Sequence, residues 1–438
     1  MTDTRLDPAH DLYVRAARRL IPFMFLCYVL AQIDRGNIAH AKGALSHTFG
    51  FDNQVYALGV GMFYFGYAIL EVPSNLILER VGARLWISRI MITWGLITVA
   101  FAFMVGEKSF YALRFLLGLA EAGFMPGAVL YLTYWFPAAR QARATAAFLT
   151  SIPIALVIAG PLSGTCLDLD GLGGWAGWQW MFAVAGIPSV IVGVIVLWYL
   201  PNGPKDARWL SPEERERIDA SLAADRALSP TSKHGSFLES LAAPRLWALT
   251  AIYFLLITGF YGIINWLPAI FSDLPFLRGT SNLARGSAAA APYILTCVAM
   301  VWWGRRSDRS GERRWHAAIA GGLAAASLGI AACWPHRPEV VLVCLTLTSI
   351  GTFSALGPFW SLATSCLQGP ARAGGIGLIN GLGCLGGYVG PMLLAKLDIG
   401  SKHHGQGYAA LGLCLLMFAV LVLALKPSRP ATVVPSIG

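Results

Sequence analysis

Twelve apolar runs, each about 20 residues long, follow one another along this chain of 438 residues. A helical run of that length spans the ~30 Å hydrocarbon core of a bilayer. Only 13% of the residues are charged, whereas soluble domains carry about 25%. Alternating ten-residue strands, the pattern of a membrane β-barrel, do not occur. The sequence therefore predicts an all-α membrane protein with twelve transmembrane helices, near residues 19–39, 54–78, 86–105, 110–134, 144–165, 178–200, 245–271, 286–304, 315–334, 339–362, 373–396 and 406–425.

Lysine and arginine are distributed unevenly between the predicted loops. Of the 33 basic residues, 24 fall in the amino terminus, the carboxyl tail and the loops after the second, fourth, sixth, eighth and tenth runs. The other loops hold 7, and 2 lie deep inside runs, where residues near the end of a run are counted with the adjoining loop. Because cytoplasmic loops carry the excess of positive charge, both termini are predicted to be cytoplasmic. No basic stripe remains for a phosphate backbone, so the net charge of +10 does not indicate a nucleic-acid-binding protein.

A long polar segment, residues 201–244, separates the sixth and seventh runs. Its LSPEERERI sequence places Ser211 as N-cap, Pro212 at the first helical position and Glu214 in a capping box. This pattern predicts a short amphipathic helix at the cytoplasmic surface. The expected organisation is a first six-helix bundle at 1–200, a linker at 201–244 and a second six-helix bundle at 245–438.

The two halves repeat short motifs at nearly the same offset. An acid-Arg-x-Gly-x-Arg motif occurs at 79–84 and again at 308–313, and the pair Gly160-Pro161 recurs as Gly390-Pro391. Six-span repeats place a transport site between the halves near mid-membrane. Arginines of the motif would bond helix carbonyl ends and pair with the acid of the motif, which would hold a cytoplasmic joint shut or let it open. Anchoring by positive charge is the alternative. The candidate gating residues are Glu79, Arg80, Gly82, Arg84, Asp308, Arg309, Gly311 and Arg313.

Four ionisable residues lie deep inside apolar runs, Asp34 and Arg35 in the first and Arg114 and Glu121 in the fourth; Glu71 lies near the end of the second, where a structural role is favoured. A charge at the centre of a spanning helix costs ~2.5–3.5 kcal/mol, so such residues are usually functional. Counting from the predicted ends of the runs at ~1.5 Å per residue places three of the charges at one outer level. The same count places Glu121 ~10 Å deeper than Arg114.

The second half has no counterpart of these charges. The offset between the two motif copies maps them onto Ile263, Ile264, Val343 and Ile350. We therefore expect charge recognition and proton coupling in the first half, and shape and neutral hydrogen bonds from the second.

Arginine and carboxylate side chains suit different tasks in an anion carrier. Arginine binds a carboxylate through two parallel hydrogen bonds, and a buried carboxylate can carry a proton. In the empty carrier we expect both acids to pair with the two arginines. Asp34 and Glu121 are then the expected proton sites, Arg35 the ligand of the substrate carboxylate and Arg114 the organiser of Glu121. A static network of ion pairs between helices is the alternative.

Several longer segments resemble one transporter family. They are YVLAQIDRGNI, FYFGYAILEVPSNLILERVGARLWISRIMITWG, RFLLGLAEAGFMPGAVLYLTYWFP, GWQWMF, LSPEER, WLP, SDRSGERR and INGLGCLGGYVGP. They resemble the anion:cation symporter family of the major facilitator superfamily, in particular its bacterial tartrate-type carboxylate permeases. The resemblance implies two six-helix bundles that import an organic anion with protons by alternating access. It also implies substrate contacts from Tyr67, Trp360 and Asn380.

The resemblance makes a proton-coupled symporter the expected function, importing a tartrate-like hydroxy-dicarboxylate or related carboxylate across the bacterial inner membrane. The fifth run, SIPIALVIAG, lacks the polar side chain of some sugar-acid members, which favours a smaller or less polar carboxylate. An organic-anion exchanger or uniporter without proton coupling remains open. So does a permease for phthalate-like acids, because Trp360, Tyr67 and Phe124 would wall a flatter ligand.

Classes other than transporters fit this sequence less well. The short loops argue against a membrane receptor, and an intramembrane enzyme would need a catalytic dyad or an HExxH motif, neither of which occurs. No cofactor, metal or nucleic acid is expected. The expected partners are the organic anion, protons and the lipid bilayer, and the protein is expected to act as a monomer.

Overall fold

The computed structural model describes residues 10–228, 243–272, 274, 277–366, 371–397 and 405–425. Within these ranges all regular elements are helices, and twelve of them are long and apolar enough to cross a membrane, as predicted. They are α1 (His10–Phe49), α2 (Asn53–Val81), α3 (Ala83–Phe103), α4 (Glu107–Thr133), α5 (Ala147–Leu167), α6 (Gly177–Tyr199), α7 (Pro244–Ser272), α8 (Asn282–Ser310), α9 (Arg314–Cys333), α10 (Pro338–Cys366), α11 (Gly375–Leu397) and α12 (Gly405–Ala424). We call α1–α6 the first half and α7–α12 the second half.

Helices that cross a membrane in succession alternate in direction, so their ends form two sides. We call the side with the start of α1, the α2–α3 loop and the linker the linker side, and the opposite side the far side. The distribution of basic residues predicts that the linker side is cytoplasmic.

The linker begins with the helix that its capping motif predicts. The helix runs Pro212–Leu228. Ser211 Oγ accepts from the Glu214 N–H at 3.2 Å, and Glu214 Oε2 accepts from the Ser211 N–H at 2.9 Å. Glu214 also pairs with Arg15 of α1, and these contacts hold the pKa of Glu214 below its usual range. The linker helix therefore docks on the first half; residues 229–242 of the predicted linker lie outside the described ranges.

The halves pack against each other mainly through two helix pairs, α5 with α8 and α2 with α11, and α1 also contacts the end of α7. Gly160 of α5 and Gly286 of α8 approach so closely that neither has room for a Cβ. Gly387 of α11 likewise makes room for the Tyr64 ring of α2. The equivalent of α5 in the second half is α11, and the equivalent of α8 in the first half is α2. Equivalent helices thus form both interfaces, which fits the repeated motifs.

The fourth span is interrupted, although the sequence predicted one continuous run. It consists of Glu107–Glu121 and Phe124–Thr133. Gly123 between them has φ 83°, a left-handed conformation that glycine adopts without a Cβ penalty. Pro126 has no N–H to bond the Ala122 carbonyl four residues earlier, and Ser74 of α2 donates to that carbonyl at 2.8 Å instead. The break therefore lies directly after the intramembrane acid of α4.

The first helix is longer than predicted. The apolar run ends near residue 39, but the helix continues to Phe49 and ends where Gly50 adopts φ 72°. Arg35 lies as far before the end of α1 as Glu121 lies after the start of α4. The two charges are therefore at one level of these neighbouring helices. The predicted depth of Arg35, level with Arg114 and well above Glu121, is wrong because it was counted from the end of the apolar run.

Candidate functional site

An ion pair joins the intramembrane charges of α1 and α4. Arg35 Nε donates to Glu121 Oε1 at 2.5 Å. The side chains are 10% and 1% exposed. Arg35 Nη2 and Glu121 Oε2 are buried and have no hydrogen-bond partner among the described residues. The predicted pairing of an acid with an arginine is confirmed here, and this arginine keeps a donor with which to bond a carboxylate.

The other two charges bind neutral groups. Asp34, which is 3% exposed, accepts a hydrogen bond from Ser189 Oγ of α6 at 3.2 Å. Arg114 donates to the carbonyl oxygens of Gly59 and Val60 in α2, at 3.2 and 3.4 Å. Within the described part of the chain neither Asp34 nor Arg114 forms an ion pair. The expectation that both acids pair with the two arginines is therefore confirmed for Glu121 and Arg35 and wrong for Asp34 and Arg114. The reason is geometric, because the backbone of α2 lies within reach of Arg114 and the long α1 brings Arg35 to Glu121.

Aromatic rings of α2 flank both arginines. The Cζ atom of Arg35 lies 4.9 Å from the centre of the Tyr67 ring, and that of Arg114 lies 4.8 Å from the Phe63 ring. Such contacts stabilise a desolvated guanidinium by roughly 2 kcal/mol. Tyr261 of α7 packs against the same helix, α2, with its ring centre 4.7 Å from that of Tyr64. Tyr261 is not among the residues predicted from sequence. Its only signal is its position two residues before Ile263, the counterpart of Asp34.

The substrate-binding candidates of the second half lie together. The Tyr253 hydroxyl of α7 donates to Asn380 Oδ1 at 3.4 Å, and its ring centre lies 4.9 Å from that of Trp360. Asn380 Nδ2 donates to Glu71 Oε1 of α2 at 2.5 Å, and the Tyr67 hydroxyl donates to the same oxygen at 3.5 Å. A continuous chain of contacts therefore links the arginine of α1 to the tryptophan of α10 across the two halves.

The two copies of the candidate gating motif differ in their contacts. In the second copy, Arg313 Nη1 donates to Asp308 Oδ1 at 2.6 Å, which is the expected acid–arginine pair. In the first copy, the backbone N–H of Arg84 donates to Asn202 Oδ1 at 3.0 Å. Gly82 has φ 94° and lies against the same asparagine side chain. The first copy therefore binds the segment that follows α6, and a gating role of either copy stays a prediction.

A cavity of about 730 Å³ lies on the far side, between the ends of α1, α5, α7 and α8. Lys42 of α1 and Arg285 of α8 contribute positive charge to its walls, and Asp170 contributes negative charge. His40 and His47 also line it. An anion that reaches this cavity therefore meets cationic side chains from both halves.

The far side also carries a helix cap that joins the halves. Asp168, just after α5, accepts hydrogen bonds from the N–H groups of Asn282 and Leu283, at 2.9 Å each. These are the first two residues of α8. A carboxylate at a helix N-terminus bonds amides that lack an intrahelical partner and interacts favourably with the helix dipole. The first half thus caps a helix of the second half.

Comparison with known proteins gives consistent matches along the chain. The family model described as Major Facilitator Superfamily matches residues 24–391. The Agrobacterium vitis protein named "Putative tartrate transporter" is 44% identical over 429 residues, which cover 97% of this chain and 94% of that protein. A quinolone resistance transporter of Acinetobacter baumannii is 37% identical over 417 residues, which cover 95% and 94%.

Among solved structures, the inward-open xylose transporter XylE from E. coli has a TM-score of 0.74. The alignment covers 95% of this chain and 98% of that one. At 14% identity this likeness shows the fold alone.

Proposed function

This chain belongs to the major facilitator superfamily, and we propose that it is a proton-coupled symporter that imports a small organic anion. Its relatives are transporters, so the chain is a multi-pass membrane transporter of a small molecule and not an enzyme. The proposal adds the coupling ion, the class of cargo and the direction. It also places the protein in a bacterial inner membrane as a monomer.

One observation carries the proposal, the buried Arg35–Glu121 ion pair with an unused arginine donor. A buried charge that loses its partner is destabilised by several kcal/mol, so the pair resists opening while both groups are ionised. Protonation of Glu121 neutralises the acid and frees Arg35 for a substrate carboxylate. When the substrate leaves, Arg35 returns to the acid and favours loss of its proton. Proton and anion then bind cooperatively, as linkage requires.

Asp34 is the second proton site of this proposal. It lies one residue from Arg35, is buried, and is bonded by the neutral Ser189 hydroxyl. A buried carboxylate without a cation binds a proton more readily than one in an ion pair. Two acids with different partners can therefore be protonated at different steps of the cycle.

The cargo of the proposal is a carboxylate with further polar groups. The arginine donor of the first half suits the carboxylate, and Asn380 with its neighbouring tyrosines suits a hydroxyl or a second acid group. Two Agrobacterium vitis relatives have tartrate in their names, which supports a hydroxy-dicarboxylate. A flat aromatic acid is the second candidate, because the Tyr67 and Phe63 rings lie beside Arg35.

Import of the anion is supported by the cationic cavity on the far side. That side is predicted to face outward, where the cavity would collect anions from dilute solution.

Purified protein in liposomes tests the function. We expect L-tartrate to accumulate inside when the outside is more acidic, and the accumulation to stop when a protonophore collapses the gradient. Phthalate is the matched probe for the aromatic alternative. If neither acid accumulates under any pH gradient but one of them is still exchanged across the membrane, the protein is an exchanger and not a symporter.

A further inference from the structure

Glu71 of α2 is a buried carboxylate that both halves bond. Its side chain is 0% exposed. Oε2 accepts from the Gly123 N–H of the first half at 2.9 Å, and Oε1 accepts from Asn380 Nδ2 of the second half at 2.5 Å. One side chain therefore connects the break in α4 with α11 of the second half.

The break in α4 explains only the first of these bonds. The Gly123 N–H needs an acceptor because the helix is interrupted. A neutral acceptor would suffice, just as the neutral Ser74 hydroxyl satisfies the Ala122 carbonyl on the other side of the break. Burying a carboxylate costs more than burying a neutral oxygen. The charge of Glu71 and its bond to Asn380 therefore call for a further role.

The charged and titratable groups around Glu71 come from three helices. Tyr67 of α2 donates to Oε1, and the Cys384 thiol of α11 donates to Asn380 Oδ1 at 3.9 Å. Arg35 of α1 lies over the Tyr67 ring. Arg35 is bonded to Glu121. Among the described residues no cation lies within the 4 Å of an ion pair to Glu71. The strongest partner of this carboxylate across the interface is thus the amide of Asn380.

We propose that Glu71 is a positioning residue that holds Asn380 in the empty carrier and releases it when substrate binds. This inference rests on the proposed function, because it concerns the same site. A substrate carboxylate bonded to Asn380 would lie beside the Glu71 carboxylate, and two like charges at that distance repel each other. Anion binding therefore displaces Glu71 from the amide. Glu71 also holds Gly123, two residues after Glu121, so its movement reaches the acid of α4 through the break.

Competition between Glu71 and substrate predicts a gain of affinity when the charge is removed. Glu71→Gln keeps the size of the side chain and an oxygen that accepts from Gly123. A bond to a charged group is about twice as strong as a neutral one. We expect the Kd for L-tartrate to be about 3–10-fold lower than in the parent, measured by equilibrium binding to the detergent-solubilised protein.

Ser74→Ala is the matched control for that measurement. Ser74 bonds the Ala122 carbonyl and the Trp86 indole, both in the first half. The substitution removes the other hydrogen bond at the same break and leaves Asn380 untouched. We expect its Kd to stay within about twofold of the parent. A merely structural role of Glu71 predicts unchanged or weaker tartrate binding in both variants.

A measurement without substrate separates this inference from the choice of cargo. Thermal unfolding is compared for the parent, Glu71→Gln, Asn380→Ala and the double variant. If the two side chains bond each other, the second substitution lowers Tm by less than half of its own single shift. If the shifts are non-additive but the parent does not bind tartrate, the Glu71–Asn380 bond is supported and only the tartrate assignment is overturned. Additive shifts overturn the inference, and so does unchanged or weaker tartrate binding by Glu71→Gln.

Discussion

Helices α4 and α10 occupy equivalent positions in the two halves, yet only α4 is interrupted. α4 carries two buried charges, whereas the equivalent positions in α10 are the exposed Val343 and the partly buried Ile350. Gly123 corresponds to Thr352, which lies in an unbroken helix. Proline alone does not cause the break, because Pro358 is inside α10 and the helix continues. The left-handed glycine makes the difference, and it occurs in the half that holds the charges.

The comparison indicates a division of tasks between the halves. The first half holds the ion pair, the second acid and the break in the helix beside them. The second half contributes neutral groups, the Tyr261 phenol, the Asn380 amide and the Trp360 ring. Each experiment below pairs a substitution in the first half with a control, in order of decreasing effect.

The largest effect is expected from Arg35→Ala. It removes the group proposed to bind the substrate and leaves Glu121 as an unpaired buried carboxylate. Breaking a buried pair costs ~3–5 kcal/mol, so uptake should fall by about 100-fold or more. The control is Ile264→Val at the equivalent position, which should keep uptake within about threefold. If the initial rate of L-tartrate uptake falls equally in both variants, the proposed division of tasks between the halves is wrong.

Asp34→Asn should separate accumulation from exchange. The amide cannot carry a proton but can still bond Ser189. We expect accumulation driven by a pH gradient to fall by about tenfold or more, and tartrate exchange at equal pH to stay within about threefold. Ser189→Ala is the control, because it removes the hydrogen bond and keeps the acid. If Asp34→Asn still accumulates substrate like the parent, Asp34 carries no proton.

Gly123→Ala tests the break itself. A Cβ at this left-handed position costs ~1–2 kcal/mol and would collide with Ser74. We expect a Tm lower by several degrees and uptake reduced by roughly tenfold. Thr352→Ala, at the equivalent position of α10, should change either quantity much less, because a side chain already fits there. A Gly123→Ala variant with parental Tm and uptake would mean that the break is not needed.

The smallest effect is expected on the far side. Asp168→Ala removes the cap that joins α5 to α8. Because the carboxylate is exposed, the Km for tartrate should shift by only about two- to fivefold. Asp52→Ala is the control, since Asp52 accepts from the Val55 N–H and caps α2 within the first half. Equal shifts in both variants would show that capping α8 has no special effect on uptake.

The pH dependence of that cap follows from the pKa of Asp168. Slight burial opposes the shift, but the bonds from the Leu283 and Asn282 amides lower the pKa of the carboxyl. A lowered pKa means that the stabilisation is fully present above the usual value, about 3.9, and is lost as pH falls through the lower value. Between about pH 5 and 8 the cap is therefore constant. Any pH dependence of uptake in that range should persist in Asp168→Ala.

The fold was largely predictable from sequence, because twelve apolar runs and the Ser211–Glu214 capping box are local signals. The site was predictable in part. A charged residue is easily recognised within an apolar run of the sequence. Which of these charges form ion pairs, however, depends on where the helices end and on which backbone groups lie nearby. The end of α1 was set by Gly50, well past the apolar run. The roles of Glu71 and Tyr261 arise from contacts between halves, which no local pattern records.

Proton movement during substrate flux tests the central claim most directly. Liposomes with purified parent protein and no pH gradient are given an inward gradient of L-tartrate, and the external pH is followed in weak buffer. The account predicts that the outside becomes more alkaline as tartrate enters, and that Glu121→Gln abolishes this change while tartrate exchange continues. Tartrate entry by the parent without any alkalinisation would contradict it, as would an unchanged proton signal in Glu121→Gln.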